Sequence, residues 1–435
     1  MLDIKFIREN QELVKLAIKN KNAKVDLDAF LAVDKRRRDL IGEKESLQAE
    51  QNKKSKGGPK DPAELEALKT IKERIKVLET EFATVEQQYF ELLNAIPNIP
   101  LDDVPIGKDE HDNKVLREVG KKPVFAFKPK EHWELGKGLD LIDTERAAKV
   151  SGARFAYLKG ALVMLEFALI QFALSVLTDE KILAKIIKKN HLKISSKPFT
   201  PIIPPVLIQV GALQKMARLE PKEERYHVVS DDLYLVGSAE HTLGAMHMDE
   251  TLNAADFPLR YVGFSTAFRR EAGSYGKDTK GILRVHQFDK LEAESFTVPE
   301  GSIEEQDFIV AIQEYLLAEL GLPYRVVAIS TGDMGGPDAR QIDIETWMPG
   351  QDRYRETHTS DMNTDYQARR LGTRVKINDK IEFVHMNDAT IFAGRTMISI
   401  LENYQTEKGT VVIPSALRKY MFGIKEIKIN DKKSS

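Results

Sequence analysis

STAFRREAGSYGKDTKGILRVHQFDKLEAESF, residues 265–296, sets arginines, glutamates, lysines and a histidine between apolar residues on both sides of a glycine-bearing loop. Read as two strands, 265–272 and 282–296, the stretch is a β-hairpin in which side chains of equal parity share a face. Arg269 and Glu271 then point together. On the return strand Arg284, His286, Phe288, Lys290 and Glu292 point together, while Val285 and Leu291 turn away. One face therefore carries two arginines, an aromatic ring and carboxylates. Arginine keeps its charge and forks onto phosphate oxygens, and an aromatic ring stacks on a nucleobase. A solvated, charged sheet face shows the same pattern, and the stretch alone does not separate the two.

Two downstream stretches bear on the choice. In DIETWMPGQDRYRETHTSDMNTDYQARR, 343–370, alternation sets Ile342, Ile344 and Thr346 against Asp343, Glu345 and Trp347. Further on, Glu356 and Thr359 offer a carboxylate and a hydroxyl to a hard cation, and magnesium is content with few protein oxygens beside substrate phosphates. In FVHMNDATIFAGRTMISILENYQ, 383–405, a strand is expected to end near Asn387 and a helix to begin before Arg395, with Arg395, Ile398 and Glu402 on one face. Each feature taken singly is also what an ordinary protein surface displays.

Upstream, the pattern changes. From Leu65 the apolar positions Leu68, Ile71, Ile75, Leu78, Phe82, Val85, Tyr89, Leu92 and Ile96 follow in steps of three and four, a heptad seam. Val33, Leu40 and Leu47 mark a matching stripe on an earlier helix. KKSKGGPKDP between them stops one helix and starts another, which predicts a long antiparallel hairpin. Lys53, Lys54, Lys56 and Lys60 cluster at its turn, suited to a phosphate backbone, although a coiled-coil oligomerisation arm with a solvated turn has the same sequence. IPNIPLDDVP, 96–105, reads as a linker. Beyond it a helix is expected near 159–178, then FTPIIPPVLI, then grouped strands with intervening helices. This predicts an α+β fold with a mainly antiparallel sheet flanked by helices, divided into a helical arm domain, 1–105, and a second domain, 106–435.

The chain has 435 residues with a formal net charge of -2, so nucleic-acid binding needs a local patch rather than a global field. It has no cysteine, which excludes disulfides, thiol catalysis and cysteine-ligated zinc. No uncharged apolar run approaches the roughly 20 residues of a membrane helix. MLDIKFIRENQELVKLAIKN lacks the apolar core of a signal peptide, and a cytoplasmic protein without membrane association is expected.

The combination of the N-terminal hairpin, VPIGKDEHDNKVLREVG, ERAAKVSGARFAYLKGAL, FRREAGSYGKDTKG, WMPGQDRYRE, DYQARR and GRTMISILENYQTEKGTVVIPSALRKYM resembles class II aminoacyl-tRNA synthetases. Within that class it is similar to the seryl-tRNA synthetases of the bacterial type, over nearly the whole chain. The resemblance implies ATP as a substrate, Mg²⁺, L-serine, tRNA(Ser) and a homodimer with FTPIIPPVLI at its interface. It implies that the hairpin grips the long variable arm of the tRNA, reaching the tRNA charged by the other subunit, through a tip that includes Lys53, Lys54, Lys56 and Lys60. Arg269 would bridge the amino-acid carboxylate and the α-phosphate. The remaining ATP contacts would be Arg270, Glu271 near the adenine amino group, Val285 through its backbone, Phe288 stacked on the base, Arg284 and Arg395 on the β and γ phosphates, and Thr357 and His358. Glu356 and Thr359 would hold the metal. Ser238, Ala239, Glu240, Glu292, Asn387 and Ala389, together with Arg269, would bind serine. GSYGKDTKG would be a flexible lid.

Three positions depart from the family pattern. Ser238 replaces a threonine, His358 is new within a serine-rich segment, and Ala389 stands where a serine or threonine hydroxyl meets the substrate. Thr390 lies one position late, where a plain strand would turn it away. Either the backbone bulges so that Thr390 serves, or Glu292 selects serine with less help. Two other readings remain: a synthetase-like paralogue that passes a small amino acid to a carrier protein, and a non-catalytic tRNA-binding or scaffold protein.

Overall fold

A computed structural model describes residues 1–56, 58, 61–272, 276 and 278–429. The chain divides into two compact units, Met1–Ile99 and Pro100–Ser435, a division that falls ahead of residue 105. Leu101 already donates its N–H to Ala339 O at 2.9 Å, and Val104 packs with Val327, Ile329 and Met334, so the end of the proline-rich stretch is held by the second unit.

The described part of the first unit consists of helices α1 (Ile4–Glu9), α2 (Gln11–Asn20), α3 (Leu27–Ser55) and α4 (Pro62–Ala95). Asp61 caps α4, its side chain accepting from Glu64 N, and Pro62 takes the first turn, where a missing N–H costs nothing. At 1.5 Å per residue α4 runs about 50 Å. Ile71, Ile75, Leu78 and Tyr89 of the seam are buried, as is Leu40 of α3, while Leu65 at the far end is exposed. Arg36–Glu81 (2.5 Å) and Arg74–Glu43 (2.7 Å) pair across the helices and fix their antiparallel register.

The second unit is built on an eight-stranded sheet. Its strands are β1 (Lys114–Val119), β2 (Thr200–Ile202), β3 (Leu259–Phe268), β4 (Gln287–Thr297), β5 (Tyr324–Ala328), β6 (Arg340–Met348), β7 (Arg353–Thr364) and β8 (His385–Ala393). They lie in the order β1-β5-β6-β7-β8-β4-β3-β2. All pairs are antiparallel except β2 with β3. The helices that concern the site are α5 (His132–Gly138), α6 (Ala161–Leu177), α7 (Glu180–Lys189), α8 (Ser302–Leu320) and α9 (Gly394–Asn403). The apolar residues of α6, α8 and α9 form one core with those of the sheet. No single helix among the described residues is long and apolar enough to cross a membrane.

The decisive hairpin is shorter at its tip than parity predicted. β3 stops at Phe268 and β4 starts at Gln287, so Arg269, Glu271, Arg284 and Val285 belong to the connecting loop. Glu271 takes a left-handed backbone, φ 52°, which no strand allows. His286 does not share the face of Phe288 and Lys290: its Nδ1 meets Arg269 O at 2.9 Å and its ring packs near Phe155 and Tyr226. At the third stretch the strand does not end near Asn387 but runs through it to Ala393.

Candidate active site

A cavity of about 560 Å³ opens where β4, β7, β8, the first turn of α9 and the loop after β3 meet. Arg269 extends the β3–β4 ladder by one step, its N–H donating to His286 O at 3.0 Å. Its Nε donates to Gly237 O at 3.0 Å, and the guanidinium lies 5.4 Å from the centre of the Phe288 ring. A Cβ on Gly237 would come within 2.7 Å of Arg225, so the bare backbone there makes room for the Arg225 guanidinium. Arg284 pairs with Glu271 at 2.8 Å. Arg395, in the first turn of α9, donates to Glu356 O at 3.0 Å and pairs with its carboxylate at 3.1 Å. Val285 also lines the cavity.

Two β-bulges decide which side chains enter. Between β6 and β7, Ile344 faces His358 but Glu345 faces Glu356, so Thr357 is the extra residue. A plain strand would put Glu356 and Thr359 on opposite faces, being an odd number apart; the bulge brings both to the cavity. Between β4 and β8, Leu291 faces Phe392 while Glu292 faces Thr390, leaving Ile391 as the extra residue. Thr390 and Asp388 therefore line the cavity beside Glu292, and Ala389 turns into the core. Gln313 of α8 secures the arrangement, donating to Thr359 O at 3.0 Å and to Thr390 O at 2.8 Å.

The inner end of the cavity is crowded with carboxylates. Arg218 pairs with Glu240 (2.7 Å) and reaches Asp338 (3.5 Å), Asp361 (3.7 Å) and Asp388 (3.8 Å). Lys290 pairs with Glu292 at 2.6 Å and donates to Ser238 Oγ at 3.1 Å. Burial pushes Glu240 up, but Arg218, together with His241, Lys290 and the hydrogen bond from Asp388, outweighs it and holds the carboxyl below its usual range. Burial pushes Glu292 up to about 7 against the pull of Lys290. Burial, reinforced by neighbouring carboxylates, also holds Glu294, Asp361 and Asp388 well above theirs. Glu240, Glu292 and Asp388 each offer an oxygen, all within 4.8 Å of one another, an arrangement complementary to a small cation such as an ammonium group.

Of the residues expected at the site, Glu240, Arg269, Glu271, Arg284, Val285, Phe288, Glu292, Glu356, Thr357, Thr359 and Arg395 line this one cavity. Arg270, His358, Asn387, Ala389, Ser238 and Ala239 do not. Arg270 lies 5.7 Å from the Tyr226 ring. His358 is buried against Phe392, and burial pushes its ring down to about 3, so it stays neutral in the core. Asn387 faces away on the same side as Ala389, because the two are an even number apart on one strand. Ser238 supports Lys290 from behind, and Ala239 is fully buried. Lys53 and Lys54 lie in the last turn of α3, with Lys54 paired to Glu50 at 2.7 Å, and Lys56 follows the helix as its cap. Lys60 and most of the glycine-rich GSYGK segment lie outside the described residues. Sequence reasoning did not find Arg218, Arg225, Asp361 or Asp388. For this end of the cavity its signals were the even spacing of Lys290 and Glu292, the position of Thr390, and Glu240 from the resemblance.

Glu356 and Thr359 supply hard oxygen donors at the cavity wall, a donor set that fits Mg²⁺. An antiparallel sheet bearing paired arginines, an aromatic platform and this metal-side pair defines the class: residues 225–404 match the family model described as "tRNA synthetase class II core domain (G, H, P, S and T)". Residues 1–100 match "Seryl-tRNA synthetase N-terminal domain". The chain is 40% identical to a serine–tRNA ligase of Syntrophotalea carbinolica over 98% of its length and 100% of the relative's. It is 41% identical to that of Geotalea uraniireducens over the same shares. The crystal structure of seryl-tRNA synthetase from Pyrococcus horikoshii, complexed with ATP, superposes with a TM-score of 0.87 at 40% identity, covering 99% of this chain and 100% of that one. The chain belongs to the seryl-tRNA synthetase family.

Proposed function

We propose that this chain ligates L-serine to tRNA(Ser) in two steps within the cavity described. Serine carboxylate oxygen attacks the α-phosphorus of ATP, the bond from that phosphorus to the bridging oxygen breaks, and pyrophosphate leaves with the electron pair. A ribose hydroxyl of the tRNA's terminal adenosine then attacks the carbonyl carbon of seryl-adenylate, losing its proton, and AMP departs. The observation that carries this reading is the convergence of Arg269, Arg284, Arg395, Phe288, Glu292 and Thr390 on one cavity.

The first step brings two anions together, so fixed positive charge is what it needs most. Arg269 lies between the amino-acid end and the nucleotide end and offsets both carboxylate and α-phosphate. Arg284 and Arg395 hold the outer phosphates, and Phe288 offers its ring to adenine. Glu356 and Thr359 would hold Mg²⁺, which when bound draws charge from phosphate oxygens. The serine ammonium complements Glu240 and the acids around Arg218. The serine hydroxyl meets Glu292 and Thr390, and a buried polar pair rejects alanine because it would be left without its partner.

The arm, residues 1–99, serves as the tRNA-binding domain and Pro100 onward as the catalytic domain, working as a cytoplasmic homodimer. A carrier-protein or non-catalytic role is not favoured, since the chain keeps both the arm and the full set of charged cavity residues.

Serine-dependent ATP–pyrophosphate exchange tests the reading, measured with serine, alanine, glycine and threonine for the chain and for Arg269→Ala. The expected result is exchange with serine and a loss of at least about a hundredfold in the variant. A preference for alanine or glycine would overturn it.

A further inference from the structure

His132 and Glu402 lie behind the cavity wall, 2% and 0% exposed, and neither lines the cavity. Glu402, in the last turns of α9, collects donors from separate segments: His132 N–H at 3.1 Å, Gly350 N–H at 2.9 Å and Gln351 Nε2 at 3.1 Å. The His132 ring lies between Glu402 and the loop that precedes β4. Its Nδ1 is 3.3 Å from Glu402 Oε1, and its Nε2 accepts the N–H of Ile282 at 3.1 Å. Because an amide can only donate, Nε2 carries no proton and the ring proton sits on Nδ1, pointing at the carboxylate.

The contact is built closely. Gly281 has φ 70°, and a Cβ there would fall 2.2 Å from His132 Nε2. A second branch reaches the same loop further up. Gln351 Oε1 accepts from Arg355 Nε at 2.9 Å, Arg355 pairs with Asp278 at 2.7 Å, and Asp278 lies 3.8 Å from Arg284. A single buried carboxylate on the helix that carries Arg395 is thus linked at two points to the loop that carries Arg284 and Val285.

We propose that His132 and Glu402 are positioning residues for ATP, setting the loop Ile282–Val285 at the height at which Arg284 and the Val285 backbone meet the nucleotide. The inference rests on the reading of this end of the cavity as the ATP site. Neither residue touches substrate; each acts through the loop and through α9.

The test compares His132→Asn, His132→Gln and Gly281→Ala in serine-dependent pyrophosphate exchange. An asparagine amide takes the place of Nδ1 and keeps the Glu402 contact but not the Ile282 contact; a glutamine carbonyl reaches the position of Nε2. His132→Asn and Gly281→Ala should each raise the KM for ATP about tenfold, the worth of one buried hydrogen bond, with the KM for serine within about twofold of the parent. His132→Gln should recover most of the difference. A parallel rise in both KM values, or a glutamine variant no better than asparagine, would overturn the proposal.

Trp133 adjoins His132 and lies under Lys280 of the same loop, 4.4 Å from ring centre to ammonium. Its fluorescence, titrated with ATP alone in a Trp347→Phe background, reads the loop without the reaction. If the parent chain showed no serine-dependent exchange, the functional reading would fail. The titration would still decide the relay: weaker ATP binding in His132→Asn with recovery in His132→Gln supports it, and equal binding in all three sinks it.

Discussion

Thr390 shows how far one side chain's role depends on its backbone. Counted along the chain it is one place late, and parity assigns the site to Ala389. The bulge at Ile391 reverses the two, setting Thr390 opposite Glu292 and Ala389 in the core. Thr390→Ala should therefore raise the KM for serine about tenfold and narrow discrimination against alanine, with the KM for ATP little changed. Steady-state exchange kinetics measure this, and an unchanged serine KM would show that Glu292 acts alone. Glu294 offers a second prediction. It is 1% exposed, and burial holds its folded-state value well above the usual carboxylate range. The folded chain then binds a proton that the unfolded chain releases above about pH 4.3. Stability contributed by that proton is present at low pH and falls as pH rises toward the raised folded value. Glu294→Gln removes this loss, so its melting temperature should exceed the parent's by an amount on the order of 2 °C at pH 8, shrinking toward nothing at pH 4. A difference independent of pH would count against a protonated Glu294.

At the scale of elements, α4 was almost fully legible. Asp61 and Pro62 announce its start, the heptad seam runs its length, and the proline-rich stretch marks its end, because capping, helical period and chain stiffness are local properties. The hairpin 265–296 was legible as a hairpin but not in its extent. Where a strand hands over to a loop depends on more than the pattern of its own residues: Arg269 keeps one further ladder bond to His286 O, and the backbone then turns left-handed at Glu271. The bulge in β7 had no local signal, and that in β8 was marked only by Thr390 standing one position late; both are held from outside by Gln313 on α8. The tip of α3 carries its own prediction. Exchanging Lys53, Lys54 and Lys56 for glutamate should weaken tRNA charging and flatten its salt dependence while leaving serine-dependent exchange intact, since phosphate contacts act through released counterions. An equal fall in exchange would place these lysines in a structural role instead.

On the scale of the whole molecule, two compact units divide the chain at Ile99 and Pro100, and the proposed chemistry divides with them. Every cavity residue belongs to the second unit. Deleting residues 34–95, which removes nearly all of the α3–α4 hairpin, should leave serine-dependent pyrophosphate exchange within about threefold of the parent, while tRNA charging falls by about a hundredfold or more, since the arm contributes binding and not chemistry. Assaying both activities on one preparation makes the comparison. Equal loss of both would mean that the arm supports the catalytic unit's fold.

By itself the sequence determined the α+β class, the helical arm and the hairpin, because each rests on local period, capping or turn chemistry, while the resemblance of its motifs to a known family picked out residues such as Arg269, Arg284, Phe288, Glu292 and Arg395 that meet in the cavity. The tertiary structure alone decided that Thr390 and not Ala389 faces Glu292, that His358 is a core residue, and that Arg218 gathers Glu240, Asp338, Asp361 and Asp388 from four separate segments. Parity is read along one strand, but a bulge is a mismatch between two. A buried charge can be tolerated only where partners distant in sequence arrive beside it.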